Sequence, residues 1–368
     1  MEKVKLSNFI KQIRGVSYKP EDIRNESDKN AIPILRANNI TADGHIDLND
    51  IAYVDSKKVQ NEQLLRSGDI FICASSGSKN LVGKAVYIPT DMPYAFGAFC
   101  KVVRPISENI DKHYLAQFFQ SPSYRKKISD LAQGANINNI KNEHIDELDI
   151  AIYSLEEQKA IAGKLDKVNG LIEKRKTQLE KLDLLIKSRF IEMFGDPIKN
   201  SNDRSTTEFI NVVKMQRGFD LPVQDRVQNG KIPVFGSNGA LDRHNVAKVF
   251  GGGVITGRSG TIGRVYYTEG DYWPLNTSLF SVDTHGNNII YLAHLLQLFD
   301  LSRFTEGTGV PTLNRNKFHN QQIIDVPLDE QEDFATFVEQ VEKSKFESQK
   351  SLEKLEILKK SLMQKYFG

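Results

Sequence analysis

The chain repeats itself, and no other feature limits its fold as much. The stretch SLEEQKAIAGKLDKV (154–168) aligns without a gap on PLDEQEDFATFVEQV (327–341), and LEKLDLLIKS (179–188) on LEKLEILKKS (352–361), both at an offset of 173 residues. That offset also carries Phe194-Gly195 onto Phe367-Gly368. Of the 42 positions from 154 to 195, 14 are identical in the second copy, so a whole segment is duplicated rather than a motif. The likeness continues upstream. AQGANINNIKNEHI (132–145) matches TEGTGVPTLNRNKF (305–318), and YLAQFF (114–119) matches YLAHLL (291–296). ASSGSKNLVGKAVYI (74–88) answers TGRSGTIGRVYY (256–267), with Gly83 opposite Gly263 and Lys84 opposite Arg264. Two copies are too few for a solenoid. They imply a pseudo-two-fold object in which each half is a globular part followed by a helix.

The duplicated tails read as coiled-coil helices. In the first, Ile161, Leu165, Val168, Ile172, Leu179, Leu182, Ile186 and Met193 fall on heptad a and d positions, interrupted by Arg175 and Arg189. In the second, Phe334, Val338, Val341, Leu352, Leu355 and Leu362 repeat the seam, broken by Lys345 and Ser348. Ser154 and Glu157 form a capping box at the start of the first, and Gly195 and Pro197 close it. The 38 residues 155–192 span roughly 57 Å as a helix. A 3.5-residue period gives a narrow apolar seam that needs another helix, and the duplicate at 328–365 is the expected antiparallel partner. Two amphipathic helices, each lying on its own domain, are the simpler alternative.

The rest alternates short β-branched or aromatic runs with Gly, Asn, Asp and Ser clusters, as in GDIFICASSG, GGGVITG and RVYYTEGDYW. One helical stretch then follows in each half, DKHYLAQFFQSPSYRKKISDLA and NIIYLAHLLQLFDLSRF. The expected architecture is α+β: a globular domain at 1–153, a central helix at 154–195, a second globular domain at 196–326 and a terminal helix at 327–368. With 368 residues, either half can bury a core. The net charge of +2 neither suggests nor excludes nucleic acid; only a local basic face would matter. Cys73 and Cys100 sit in apolar runs and read as reduced core residues. No apolar stretch approaches 18 residues, and MEKVKLSNFI does not read as a signal peptide, so a soluble cytoplasmic protein without membrane contact is expected.

Signatures of catalysis are missing. TGRSGTIG has a G-x-x-G-x-x-G spacing rather than the dinucleotide G-x-G-x-x-G, and it runs into another strand. GSKNLVGKA has one residue too many for a P-loop, and Ala85 stands where a Ser or Thr would hold magnesium. There is no H-x-x-x-H pair and no G-x-S-x-G elbow. GDPI lacks the second proline and the aromatic of an adenine-methylating signature. Neither a cofactor nor a metal is expected in this chain.

Two α+β domains, each followed by a heptad helix that opens on L-x-E-Q and closes near F-G, resemble the specificity subunit of type I restriction–modification systems. The resemblance covers the whole chain. It rests on SLEEQKAI, PLDEQEDF, MFGDP, the duplication and the VITGRSGTIG…WPLNTS pattern of a target recognition domain. It implies two target recognition domains, each reading half of a bipartite duplex DNA target. Antiparallel helices would set the spacer and dock modification subunits, two of them expected. S-adenosylmethionine would belong to those methyltransferase partners, and cleavage to motor–nuclease subunits. Competing readings are a scaffold carrying two ligand-binding domains without DNA, and an enzyme with a nucleotide site at the glycine loops.

Under the resemblance, TGRSGTIG becomes a DNA-gripping loop. Gly257, Gly260 and Gly263 would allow close backbone approach. Arg258 and Arg264 would pair with phosphate or guanine O6/N7, with Ser259 and Thr261 beside them. The first domain offers Lys79, Asn80 and Lys84; Arg36, Asn38 and Asn39 from LRANN; and Asn136, Asn138 and Asn139 before a helix start. The second offers Arg217, Ser237, Asn238, Asn276, Thr277, Thr308, Thr312, Asn314 and Arg315. Against these stand solvated arginines and plain turn asparagines. Tyr266, Tyr267 and Trp273 read as core rather than base-stacking residues. One departure is visible: the first glycine loop carries the extra SKN and lacks the arginine of GRSG.

Overall fold

The computed structural model describes residues 2–41, 44–78, 81–132, 138–307 and 311–368. The chain divides into two compact units, Met1–Lys174 with Ser351–Gly368, and Arg175–Lys350. Both boundaries fall inside the long helices. Each unit is therefore one globular part plus a stretch of each helix, a division that cuts across the four segments expected from sequence.

The first unit opens with β1 (Glu2–Lys5), β2 (Ile10–Arg14), β3 (Ala31–Leu35) and β4 (Ala52–Asp55). The run IFIC forms β5 (Ile70–Cys73), followed by β6 (Ser75–Ser76), β7 (Ala85–Tyr87), β8 (Ala95–Phe96) and β9 (Cys100–Pro105). Helices α1 (Lys112–Phe119) and α2 (Pro122–Leu131) come next, then β10 (Asn138–Asn139), α3 (Asn142–Asp146), β11 (Asp149–Ile152) and the long α4 (Leu155–Phe194). The main sheet has the order β2-β9-β5-β7 and a smaller one β4-β3-β8, while β1 pairs with β11 and β6 with β10. All four residues of β5 are buried because the sheet is covered on both faces. Ile70 and Ile72 face a core built on α1, and Phe71 and Cys73 face a second core with Leu35 and Phe96. Cys73 and Cys100 are cross-strand neighbours, both free and buried.

The second unit holds β12 (Thr206–Glu208), α5 (Phe209–Val212), β13 (Lys214–Arg217), β14 (Ile232–Gly236), β15 (Gly239–His244), β16 (Gly253–Gly257), β17 (Val265–Thr268), β18 (Trp273–Pro274) and β19 (Ser278–Asp283). After α6 (Ile289–Phe299) come β20 (Thr305–Glu306), β21 (Thr312–Leu313), α7 (Arg315–Phe318), β22 (Gln322–Ile324) and the long α8 (Leu328–Phe367). Its main sheet is β13-β19-β16-β17, its smaller one β15-β14-β18, and β12 pairs with β22. The plan of the first unit recurs down to the parallel pairing of β3 with β8 and of β14 with β18. Each stretch read as one helix is broken. Ser121 caps α2 and Pro122 takes its first turn, which splits the first stretch. Asp300 in the left-handed region, φ 53°, ends α6 in the second.

The long helices bury most of the expected seam, while Leu179, Leu182, Met193, Leu355 and Leu362 of the same seam are half-buried. Ile161, Leu165, Val168, Ile172, Ile186, Phe334, Val338, Val341 and Leu352 are all buried. In the second unit the two helices run antiparallel. Phe334 packs on Phe190 and Phe194, Phe337 faces Arg189, and Lys345 bonds Asp183 at 2.7 Å. In the first unit Ile161 and Leu165 share a core with Met363, Tyr366 and Phe367. The capping box forms: Glu157 N–H donates to Ser154 Oγ at 3.3 Å, and Ser154 N–H to Glu157 Oε2 at 3.0 Å. Gly195 follows α4 with φ 83°, a conformation that favours glycine.

The repeated glutamine of L-x-E-Q joins each helix to its globular domain. Gln158 is fully buried; its Oε1 accepts the N–H of Asp111, the residue that caps α1, and its Nε2 donates to the carbonyls of Asn109 and Tyr153. Gln331, 1 % exposed, accepts the N–H of Asn288, which caps α6, and donates to Asn287 Oδ1 and the Val326 carbonyl. Gln158→Met or Gln331→Met keeps the volume but leaves three partners unpaired, a cost of about 2–4 kcal/mol. Calorimetry should show a lower unfolding temperature for either variant. An unchanged transition would mean the glutamine is not what ties helix to domain.

Candidate nucleic-acid interface

Each main sheet ends at a cleft, and the two clefts occupy the same place in the repeat. In the first unit the end of β2 meets β9, with Arg14 opposite Lys101. In the second the end of β13 meets β19, with Arg217 opposite Leu279. The backbone above each is tied alike. Ala74 N–H donates to the Phe99 carbonyl and Ile140 N–H to the Ala74 carbonyl; Arg258 N–H donates to the Thr277 carbonyl and Leu313 N–H to the Arg258 carbonyl. Ala74 thus stands where the second unit has Arg258, which locates structurally the arginine missing from the first loop.

The cleft of the second unit, about 380 Å³, gathers Arg217, Arg258, Thr312, Asn314 and Arg315 with Glu306 and Asn316. Five residues nominated from sequence therefore meet here. Glu306 is taken up by Lys317 at 3.2 Å and by Asn314 Nδ2 at 2.9 Å, which holds its carboxyl below the usual range. Among the described residues Arg217, Arg258 and Arg315 have no carboxylate partner, so three guanidinium groups remain available to an anion. Ser259 bridges to Thr312 at the edge, and Thr277 is exposed beside Arg258.

The cleft of the first unit, about 450 Å³, is lined by Arg14, Lys101, Asn139, Lys141, Asn142 and Glu143. Of these only Asn139 is among the residues expected from sequence. Arg14 had a signal in the sequence: an Arg-Gly pair follows the strand in both copies, Arg14-Gly15 and Arg217-Gly218. Both glycines abut the backbone of the loop before the next sheet strand, Gly15 at Gly97 and Gly218 at Leu275, leaving no room for a Cβ. Lys101 had none, since it sits in an apolar strand run and only pairing turns it to the cleft. It is 5 % exposed and bonds two neutral oxygens, Gln12 Oε1 at 3.0 Å and Asn142 Oδ1 at 2.9 Å. Burial pulls its pKa down to about 8.

The other nominated residues lie elsewhere. Asn39, 1 % exposed, spends its amide on the Asp47 and Asp50 carbonyls and accepts Arg36 N–H, so it shapes the turn rather than facing a ligand. Arg36 pairs with Asp50 at 2.7 Å, and Asn38 bonds the same carboxylate. Lys84 lines a separate hollow with Arg125 and Lys359, and Arg264, its counterpart, is exposed at the start of β17. Asn276 bonds Asp220. Asn238 is exposed, and Ser237 packs on the glycine loop. In that loop Gly257 is buried against the Thr261 carbonyl, so this glycine lets the loop close on itself, while Gly260 and Gly263 supply positive φ. Lys79, Asn80, Asn136 and Thr308 lie outside the described residues, and Asn138 is placed by backbone alone, in β10 against Ser76. Trp273 is buried and Tyr266 half-buried, whereas Tyr267 is 36 % exposed.

The chain matches the family described as the type I restriction modification DNA specificity domain over residues 1–182 and 199–357. It is 43 % identical over 182 residues to the specificity subunit of the type I restriction enzyme StySPI from Salmonella potsdam, and 41 % identical to that of EcoKI from Escherichia coli K12. Each match spans 50 % of this chain but only 39 % of the relative. The fold is that of the type I restriction–modification S subunit from M. genitalium, with a TM-score of 0.64 at 15 % identity, covering 100 % of this chain and 96 % of that one. A structure concerned with assembly and conformational transition of a type I system aligns over 99 % of both chains, with a TM-score of 0.57 at 16 % identity.

Burial brings the Lys101 pKa to about 8, so a polyanion bound in this cleft would be held in a pH-dependent way. As pH rises from 7 to 9, Lys101 loses its charge, so affinity for duplex DNA should fall. In Lys101→Met that fall should largely vanish. Titrations by fluorescence anisotropy read it. A variant with an undiminished pH effect would take Lys101 out of the interface.

Proposed function

The chain belongs to the type I restriction–modification DNA specificity family, and on that premise we propose that it reads a bipartite duplex target, one half-site per unit. The observation that carries this is the paired cleft. Two units with the same strand order line the equivalent cleft with three cations and one carboxylate, Arg14, Lys101 and Lys141 with Glu143, and Arg217, Arg258 and Arg315 with Glu306, of which only Arg14 and Arg217 stand at matching positions. Cations settle on phosphates or on guanine O6/N7, and the Asn and Thr side chains beside them suit adenine and other base edges. Differing side chains on one scaffold give the two half-sites different sequences.

Chemistry in this reading belongs to partners. Methyltransferase subunits carrying S-adenosylmethionine modify the target, and motor–nuclease subunits cut, all in the cytoplasm where the DNA lies. The long helices are where the methyltransferases dock. Leu184-Leu185 and Ile357-Leu358, related by the 173-residue repeat, are 60 %, 46 %, 69 % and 45 % exposed on otherwise charged helix surfaces. One apolar pair per unit supports two docked subunits. No helix among the described residues is long and apolar enough to cross a membrane.

Co-expression with a methyltransferase partner, followed by methylome sequencing, tests the reading: one bipartite motif should be modified. An assembled, active complex that methylates a single undivided site would end it. Arg258→Ala should relax or weaken only the half-site of the second unit, by about 1–3 kcal/mol if a base contact is lost.

The helices also act as a spacer gauge. A seven-residue insertion between Asn169 and Gly170 keeps the seam in phase and lengthens α4 by about 10 Å. That length corresponds to roughly three base pairs, so the motif should keep both half-sites and gain one to about three spacer bases. A four-residue insertion rotates the seam and should impair assembly instead. An active heptad variant with an unchanged spacer would reduce the helices to a docking surface.

A further inference from the structure

We propose that Phe99 is a base-stacking wedge at the edge of the first unit's cleft, packing its ring on a nucleobase of the half-site that this unit reads. The proposal rests on the DNA-reading function above and adds a contact of a different chemistry.

Phe99 lies in the turn between β8 and β9 and is 67 % exposed. Among the described large hydrophobic residues of the first unit, the other exposed ones are aliphatic, which makes this ring the exception. Its backbone is fixed. The Phe99 carbonyl accepts N–H groups from Ala74 at 2.9 Å and Ser75 at 3.0 Å, and the turn is held by Gly97 N–H on the Leu35 carbonyl and Cys100 N–H on the Gly97 carbonyl. The ring is thus presented from a tied turn rather than a slack loop. Its neighbours on either side, Ala98 and Cys100, line the cleft that holds Arg14, Lys101 and Lys141.

The position of Phe99 is taken in the other unit by Thr277, and that of Ala74 by Arg258. The second unit has a long cation and a short polar side chain at this edge; the first has a methyl group and a phenyl ring. Reach has moved from one backbone position to its hydrogen-bonded neighbour, and its chemistry has changed from cation to aromatic. An exposed phenyl ring gains nothing from phosphate. It gains by covering the face of a base or by entering a base step, the use aromatic and apolar wedges have on DNA held by flanking cations. A protein partner is disfavoured because the surface next to the ring is a basic cleft, which matches a polyanion.

The test uses the complex with its methyltransferase partner and a duplex carrying the motif found by methylome sequencing. Phe99→Ala should weaken binding by about 5- to 150-fold with an unchanged salt slope, because no phosphate contact is lost. Phe99→Trp should bind within a few-fold of the parent. Duplexes with single abasic nucleotides scanned through the first half-site should reveal one position at which parent and Phe99→Ala bind equally, since the base they differ over is gone. Parental affinity of Phe99→Ala for the intact duplex, or a deficit that persists at every abasic position, would overturn the proposal. So would failure of Phe99→Ala to assemble with the methyltransferase while its thermal unfolding is unchanged, which would make the ring a protein contact. If the parent complex bound no DNA, the fault would lie with the function proposed above rather than with this residue alone.

Discussion

Neither unit has a complete core without segments of both long helices, and the first takes one of them from the far end of the chain. In the first unit the aromatic cluster of Tyr114 and Phe118 is closed by Phe367, next to the end of the chain. In the second, Phe190 and Phe194 from the end of α4 stack against Tyr291 and Phe334. Burying one such ring contributes about 1.5–3 kcal/mol, so the helix ends are structural parts of the globular domains. A change that displaces either long helix therefore disturbs a globular domain as well as the helix pair.

The buried glutamines act on the same junction with direction. A hydrophobic contact tolerates sliding, whereas Gln158 and Gln331 each satisfy the N–H of a capping residue and two further acceptors at once. That geometry is met at one helix register. It sets where each long helix begins relative to the helix that backs the main sheet, and so relative to the strand ends that form the cleft. Polar breaks in the seam are settled in the same way: Lys345 lies between Asp183 and Glu342, and Arg189 pairs with Glu192 while covering Phe337.

The clefts show how one scaffold carries two chemistries. Strand order and loop ties are shared, and the side chains differ: Lys101 against Leu279, Ala74 against Arg258, Phe99 against Thr277. Such exchanges leave the backbone hydrogen bonds intact, so they change what a unit can hold without changing how it folds. The first unit has a buried lysine among neutral oxygens, and the second has three arginines, whose planar guanidinium groups can bond an anion in bidentate fashion.

The sequence by itself determined the duplication, the α+β character of each copy, the two long helices with their caps and buried seam, and the family. These are local or periodic properties: a heptad, a capping box and a 173-residue offset need no knowledge of distant contacts. It also pointed to Arg217, Arg258, Thr312, Asn314 and Arg315, residues that the fold brings to one cleft. Only the tertiary structure decided which polar residues are available. Asn39 is consumed by its own turn, and Gly257 by the loop it belongs to. Lys101, in an apolar strand, was indistinguishable from a solvated lysine until β2 and β9 paired, and Phe99 from a core aromatic until its turn was tied to Ala74. The reason is physical: period and propensity fix which way a side chain leaves its own element, but burial, partners and charge balance depend on the neighbouring strand, which the linear order does not name.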